Sequence, residues 1–246
     1  WTSDRQEAFL TDTQGRDHWS WAEMAIDENA KFLGLKVHTT ANLGGYLSTM
    51  SCLIPTAAHA KVLPGVYNVP TMYLNVHGVM TNTAPVDAYR GAGRPEAAYI
   101  VERLVDRVAI EMGLTPDEIR RRNFPTPAEM PHTMGLGDVI DSGEFTACME
   151  DAMKAADWDG FDARRKQSEA DGKLRGIGVC SFIDFASPFN DRMEIRFDET
   201  GSVSVVAGTH SHGQGHQTAY AQMIYSWLGV PFKKIRLVQG DTDTVT

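Results

Sequence analysis

Two glycine-rich turns carry the residue types best suited to chemistry in this chain. Residues 208–216, Gly208-Thr209-His210-Ser211-His212-Gly213-Gln214-Gly215-His216, join a strand-like run to a helical one. Glycine lets backbone approach a ligand closely, and the first-turn amides of the following helix have no intrahelical acceptor. A phosphate placed there gains hydrogen bonds and the positive end of the helix dipole, so this turn is a candidate anion site. Two other readings stay open. One is a tight turn with no ligand. The other is a zinc site, because His210, His212 and His216 follow an H-x-H-x3-H spacing and neutral imidazole is a common zinc ligand. In an extended run His210 and His212 share a face, but no carboxylate or cysteine follows before Asp241 to complete the ligand set, and no metal ligand is assigned.

The second turn spans residues 88–96, Ala88-Tyr89-Arg90-Gly91-Ala92-Gly93-Arg94-Pro95-Glu96. Pro95 stands where a helix begins, and Arg90 and Arg94 bracket the glycines. Their planar guanidinium groups can form charge-assisted bonds to an anionic ligand. The competing reading is a surface turn whose arginines meet acidic neighbours, of which the chain has 32. No G-x-S-x-G elbow is present, and nothing in the sequence selects Glu23, Glu96 or Asp184 over other carboxylates as acid–base groups.

These turns need elements to hold them. Alternation over His18–Ile26 predicts a strand, and Asp27-Glu28-Asn29-Ala30 a turn with Asn29 in the left-handed conformation. A β-branched-rich run over 32–39 completes a hairpin. Gly44-Gly45 with Pro55, Pro64 and Pro70 makes 43–70 loop-rich, and 73–80 reads as a strand. Ala98, Val101, Val105, Val108 and Met112 recur at helical spacing until Gly113. Thr115-Pro116-Asp117-Glu118 reads as a capping box opening a short helix through Arg122. A further helix is predicted over 144–156, and a charged helix end with linker over 161–172. Strand-like runs follow over 177–185, 193–197 and 203–209, the last two flanking an Asp198-Glu199-Thr200-Gly201 hairpin turn. A helix over 216–228 and a strand over 234–238 finish the chain. The charged stretch 157–174 separates two α+β units, residues 1–160 and 174–246.

The composition sets outer limits. With 246 residues, 42% hydrophobic and 22% charged, the chain can bury a core as one large or two ordinary domains. It has no run of about 18 apolar residues, so no membrane span is expected. A net charge of −9 argues against a basic nucleic-acid face. Cys52, Cys148 and Cys180 form no CxxC and leave one unpaired under any pairing, which predicts reduced thiols, each filling the role of a small apolar residue, in a cytoplasmic protein. The chain begins at Trp1 and stops at Thr246 just after a strand-like run, which predicts a piece of something longer.

Taken together, residues 88–96 and 213–216 resemble the molybdenum-binding large subunit of the xanthine dehydrogenase, aldehyde oxidase and aerobic carbon monoxide dehydrogenase family. Trp1-Thr2-Ser3-Asp4-Arg5-Gln6-Glu7 is similar to that family's W-x-x-x-R-x-E passage, and Thr81-Asn82 precedes the arginine turn as it does there. Met112-Gly113-Leu114, Pro116, Arg120, Arg122 and Asn123-Phe124 resemble its helix and R-x-x-N-F ending, while Gly208-Thr209 and Gly240-Asp241-Thr242 resemble the start of its second cofactor-binding half.

The resemblance implies an α+β fold made of parts of two molybdenum-cofactor-binding domains. It implies a molybdopterin dinucleotide, in its cytosine form, and oxidation of a small aldehyde or heteroaromatic substrate with water as oxygen source. Electrons would leave through an iron–sulfur small subunit carrying 2Fe-2S clusters and a medium subunit carrying FAD, in a dimer of heterotrimers. Arg90 would lie beside the molybdenum and the substrate, with Gly91 and Ala92 on the substrate side, and Gly213, Gln214, Gly215 and His216 against the pterin or its phosphates. Gly91 stands where the carbon monoxide dehydrogenases, with A-Y-R-C-S-F-R, hold copper on a cysteine, so no copper is expected. Ala92 stands where xanthine-type loops place an aromatic ring. The family's Gly-Phe loop would precede residue 1 and its glutamate base follow residue 246, so the chain alone would be inactive. The rivals are a non-catalytic ligand-binding module of the same fold and a His-ligated zinc protein.

Overall fold

The computed structural model describes residues 3–184, 191–211, 213–241 and 243–244. The chain divides into two compact units, Trp1–Asp184 and Phe185–Thr246. Trp1, Thr2, Phe185, His212 and Thr242 lie outside the described residues.

The first unit opens with a helix that alternation does not reveal, α1 (Arg5–Thr11). Asp4 accepts from the Glu7 amide at 2.8 Å while the Glu7 carboxylate accepts from the Asp4 amide at 3.1 Å, a reciprocal cap that holds a seven-residue helix with no buried side chain. β1 (His18–Ile26) and β2 (Phe32–Gly44) form the expected antiparallel hairpin. Its turn departs from expectation: Ala30, not Asn29, has positive φ. The Asp27 carboxylate accepts from the amides of Asn29 and Lys31, which moves the left-handed position one residue on. β3 (Thr71–Met80) pairs with β2 in parallel.

The inner face of this sheet, with Phe32, Leu35 and Val37, packs against Ala97, Val101, Val105 and Val108 of α2 (Arg94–Met112). Gly113, at φ +65°, ends α2. α3 (Pro116–Asn123) follows with half of the expected capping box. The Thr115 hydroxyl accepts from the Glu118 amide at 3.4 Å, but the Glu118 carboxylate turns to Arg122. Residues 45–70 are largely irregular, as their glycines and prolines predict, but their second half is core rather than surface. Val62, Leu63, Val66, Tyr67 and Val69 are all buried there.

A two-stranded ribbon, β4 (His132–Thr133) and β5 (Val139–Ile140), precedes α4 (Phe145–Ala155) and α5 (Phe161–Ala170). The strand expected over 177–185 is not formed over 177–184: that stretch joins no ladder. Instead Val179 and Ile183 pack on the first unit's core, so the division between units falls after the charged stretch that composition marks. The cysteines are free, as expected, but all three are exposed rather than packed as apolar filler.

In the second unit, β6 (Met193–Phe197) and β7 (Val203–Ala207) pair antiparallel around Gly201, at φ +74°. Helix α6 (His216–Leu228) carries the chain to β8 (Ile235–Val238), which runs parallel to β7. Val203, Val205, Ala221, Ile224 and Ile235 form the core of this unit. The class is α+β. Among the described residues no helix is long and apolar enough to cross a membrane.

Candidate functional site

The arginine turn is held in an uncommon backbone conformation. Gly91, Ala92 and Gly93 all have positive φ, at +100°, +41° and +93°. For the alanine this is strained, a feature that persists only where the surroundings over-determine it. The Ala92 amide donates to the Tyr89 carbonyl at 2.7 Å and the Arg94 amide to the Gly91 carbonyl at 3.0 Å, so the turn is closed by its own backbone. A Cβ on Gly93 would lie 2.8 Å from both the His59 nitrogen and the Ile54 oxygen. The turn therefore rests directly on the π-helical turn Ile54–Ala58, whose Ile54 and Pro55 are buried, and on the His59 that follows it. Arg94 meets Asp184 at 2.9 Å, which answers the cation at the helix start with a carboxylate of the same unit.

A short strap lies across this turn. Gln14 bridges Val86 in parallel, with its amide on the Pro85 carbonyl at 2.9 Å and its carbonyl accepting from Asp87 at 2.8 Å. Arg16, itself at φ +63°, donates to the Arg90 carbonyl and places its guanidinium 4.5 Å from the centre of the Tyr89 ring. Burial alone would raise the Asp87 carboxyl, but hydrogen bonds from Ser48 and from the Ala88, Met50 and Thr49 amides hold it below its ordinary value.

Beneath the turn lies a cluster that sequence reasoning missed. His59 is fully buried, its ring 6.5 Å from that of His18. Both His59 ring nitrogens, His18 Nδ1 and Glu96 Oε2 are buried without a hydrogen-bond partner. Glu96, one of three carboxylates that spacing could not rank, is thus the buried one, with Arg16 Nε 3.9 Å from its other oxygen. Glu23 is surface-exposed opposite Lys36.

Burial pushes His59 down to about 4, with the neighbouring His18 adding to it. Burial also lowers His18, against the opposing charges of Glu96 and Asp17. Both depressed values favour the neutral rings, so the unfolded chain binds more protons between pH 6.5 and 4. Stability is therefore complete above pH 6.5 and is lost as pH falls toward 4. The His59 share should be about 3 kcal/mol. Urea unfolding at pH 7 and pH 4 checks this: His59→Asn should flatten the pH dependence, and an unchanged slope contradicts the assignment.

In the second unit, the turn at 208–216 leaves the carboxyl end of β7 and enters α6, with parallel β8 beside it. Ligands bind at this end of a strand–helix–strand unit. Gly213 and Gly215 have φ of +102° and +79°, and Gly215, the N-cap of α6, has no side chain to cap it. A Cβ on Gly240 would lie 2.8 Å from His210, so the turn and residues 240–241 after β8 are adjacent. The Ser211 amide donates to Gln239 at 3.1 Å. His216 stacks on Tyr220 with ring centres 5.1 Å apart, leaving its Nδ1 buried with no protein partner among the described residues. Gln217, which the sequence reading passed over, fastens α6 to β8 by accepting from Leu237 at 2.7 Å and donating to Ile235 at 3.3 Å. Among the described residues no group of three or more His, Cys, Asp or Glu is arranged to hold a metal, and His212 lies outside them.

The molybdopterin cofactor-binding domain family matches residues 1–124, and a second molybdopterin cofactor-binding domain matches residues 151–246. The carbon monoxide dehydrogenase large chain of Hydrogenophaga pseudoflava is 35% identical over 99% of this chain and 32% of its own length. The nicotine 6-hydroxylase large subunit of Paenarthrobacter nicotinovorans is 30% identical over 98% of this chain and 31% of its own. Quinoline 2-oxidoreductase from Pseudomonas putida 86 superposes with a TM-score of 0.85 at 31% identity, over 98% of this chain and 32% of that one. The chain thus spans about a third of the length of these relatives.

Proposed function

The chain belongs to the molybdopterin cofactor-binding family of molybdenum hydroxylase large subunits, and from that premise we propose that it forms part of the cofactor and substrate pocket of a molybdenum-containing oxidoreductase. The observation that carries this reading is the match of two cofactor-binding domains, in order, across one chain. We assign residues 1–160 to the first and 174–246 to the second, with residues 174–184 packing as part of the first compact unit.

The turn at 213–216 suits an anionic group. Positive φ at two glycines exposes backbone donors, the N-cap of α6 is a glycine and offers no side chain of its own, and among the described residues His216 Nδ1 has no protein partner. Gly213, Gln214, Gly215 and His216 would bind the pterin or phosphates of a molybdopterin dinucleotide, in its cytosine form. When bound, that group supplies the redox chemistry: a substrate C–H becomes C–OH with oxygen from water, releasing two electrons and two protons. Arg90 would orient substrate or cofactor oxygen through its two-donor fork. Gly91 and Ala92 would line the substrate side, and the small Ala92 leaves the space a ring would fill. A small aldehyde or heteroaromatic molecule fits such a pocket. Gly91 offers no thiolate, so copper is not part of the reading. The electrons would pass to an iron–sulfur small subunit and an FAD medium subunit in a cytoplasmic dimer of heterotrimers.

Gln214→Ala in the full holoenzyme tests the cofactor assignment. Loss of one polar contact in a buried site costs about 1–3 kcal/mol, so pterin and molybdenum per protein should both fall. Full molybdenum content in Gln214→Ala, with zinc that disappears in His210→Ala, would reassign the turn as a zinc site.

A further inference from the structure

We propose that Arg16, anchored by Glu96, is a positioning residue that sets the backbone of the arginine turn and so aims Arg90. This rests on the reading of Arg90 given above, and it assigns a role to a residue 74 positions away in sequence from Arg90.

Three contacts converge on Arg16. It donates to the Arg90 carbonyl, its guanidinium stacks 4.5 Å from the Tyr89 ring centre, and its Nε lies 3.9 Å from Glu96 Oε1. The first two grip the residues that precede the left-handed run 91–93, and the third ties the grip to the first turn of α2, where that run ends. One side chain thus joins both ends of the turn. Lysine could supply the charge, but not a planar group that stacks, donates sideways to a carbonyl and faces a carboxylate together.

The strap is shaped for this contact. A Cβ on Gly15 would lie 2.6 Å from Tyr89 Cβ, so only glycine lets the strap approach so closely. Arg16 occupies positive φ without being glycine, a strain that the flanking Gln14 ladder and its own three contacts sustain. Glu96 is only 7% exposed in its side chain, in the low-dielectric setting where an ion pair resists solvent screening. A surface cation pairing with whatever carboxylate is near would need neither the glycine nor the strained backbone.

The test uses the assembled holoenzyme, with amide hydrogen exchange and steady-state kinetics on Arg16→Ala, Arg16→Lys and Arg90→Lys at equal molybdenum content. Arg16→Ala should speed exchange of the Ala92 and Arg94 amides at least about tenfold while the α2 interior, Val101 to Ala109, stays as protected as in wild type. Its kcat should fall with KM little changed, since a misplaced Arg90 fails mainly in the transition state. Arg16→Lys should recover part of the kcat, and added ethylguanidinium should recover part of it in Arg16→Ala. Unchanged exchange at residues 92 and 94 in Arg16→Ala overturns the inference. Faster exchange with wild-type kcat in both Arg16→Ala and Arg90→Lys upholds the grip on the turn and overturns the reading of Arg90.

Discussion

Arg120→Ala is expected to destabilise the first unit by about 3–5 kcal/mol, the range found when one partner of a buried ion pair is removed. Arg120 has no solvent exposure, and its guanidinium is held by two carboxylates and a backbone carbonyl. Nε donates to Glu102 at 3.1 Å, Nη2 to Glu102 and to Asp106, the latter at 3.0 Å, and Nη1 to the Pro116 carbonyl at 2.7 Å. The Tyr67 hydroxyl donates to the remaining Glu102 oxygen, and burial together with the Glu102 charge pushes that hydroxyl well above the ordinary tyrosine range. Truncation leaves the Glu102 carboxylate buried without its cation, which is the costly half of the change. Urea midpoints of wild type, Arg120→Ala and Arg120→Met/Glu102→Met separate the terms. The double variant should recover most of the loss, because two apolar side chains of similar length leave no buried charge stranded, Asp106 being partly solvated. A loss below about 1 kcal/mol in Arg120→Ala would mean that water or a neighbouring group compensates the carboxylate.

The same network explains what the R-x-x-N-F ending does. Asn123 is buried, accepts from the Phe32 amide at 2.8 Å and donates to the Ala30 and Ile119 carbonyls, each at 2.9 Å. It thereby stitches α3 to the β1–β2 turn, while the Phe124 ring stacks on Tyr67 at 5.4 Å. These residues mark the family in sequence, and here they tie α3 to the β1–β2 turn and to Tyr67.

What the sequence made legible follows from the range of the interactions involved. Helix α2 was readable because its apolar residues repeat at helical spacing and Gly113 stops it, both local facts. Helix α6 and the β6–β7 hairpin were readable for the same reason. Residues 177–184 have the apolar content of a strand but no ladder partner, and partners are tertiary facts. The burial of the second half of 45–70 was hidden because glycine and proline report backbone geometry, not depth. Glycines and arginines mark, by composition alone, the two turns proposed as the site, yet Arg16, His59 and Glu96 carried no local signal. Arg16 acts across 74 residues on Arg90, and no spacing rule reaches that far.

Arg90→Lys in the full enzyme is expected to lower kcat on the order of 10²-fold, comparable to removing one preorganised donor from a site of developing charge. The turn supplies the preorganisation. Its backbone is closed by two short-range hydrogen bonds, rests through Gly93 on the backbone of Ile54 and His59 and is gripped at the Arg90 carbonyl by Arg16. Arg90 therefore leaves a fixed point of the main chain, and its fork can present two donors in one plane without reorganising during the reaction. Lysine keeps the charge but offers a single mobile ammonium on a flexible stem, so the loss should appear in kcat more than in KM. Arg94→Lys should be milder, because Arg94 already meets Asp184 and an ammonium can keep that partner. Neither change should alter stability by more than about 1 kcal/mol, as the Arg90 side chain is exposed and the partly buried Arg94 keeps its cation and its Asp184 partner as lysine. Steady-state kinetics on both variants, normalised to molybdenum content, distinguish lost chemistry from lost cofactor. If Arg90→Lys turns over like wild type at equal molybdenum, the strained turn serves architecture alone, and the group that orients the substrate must come from elsewhere in the enzyme.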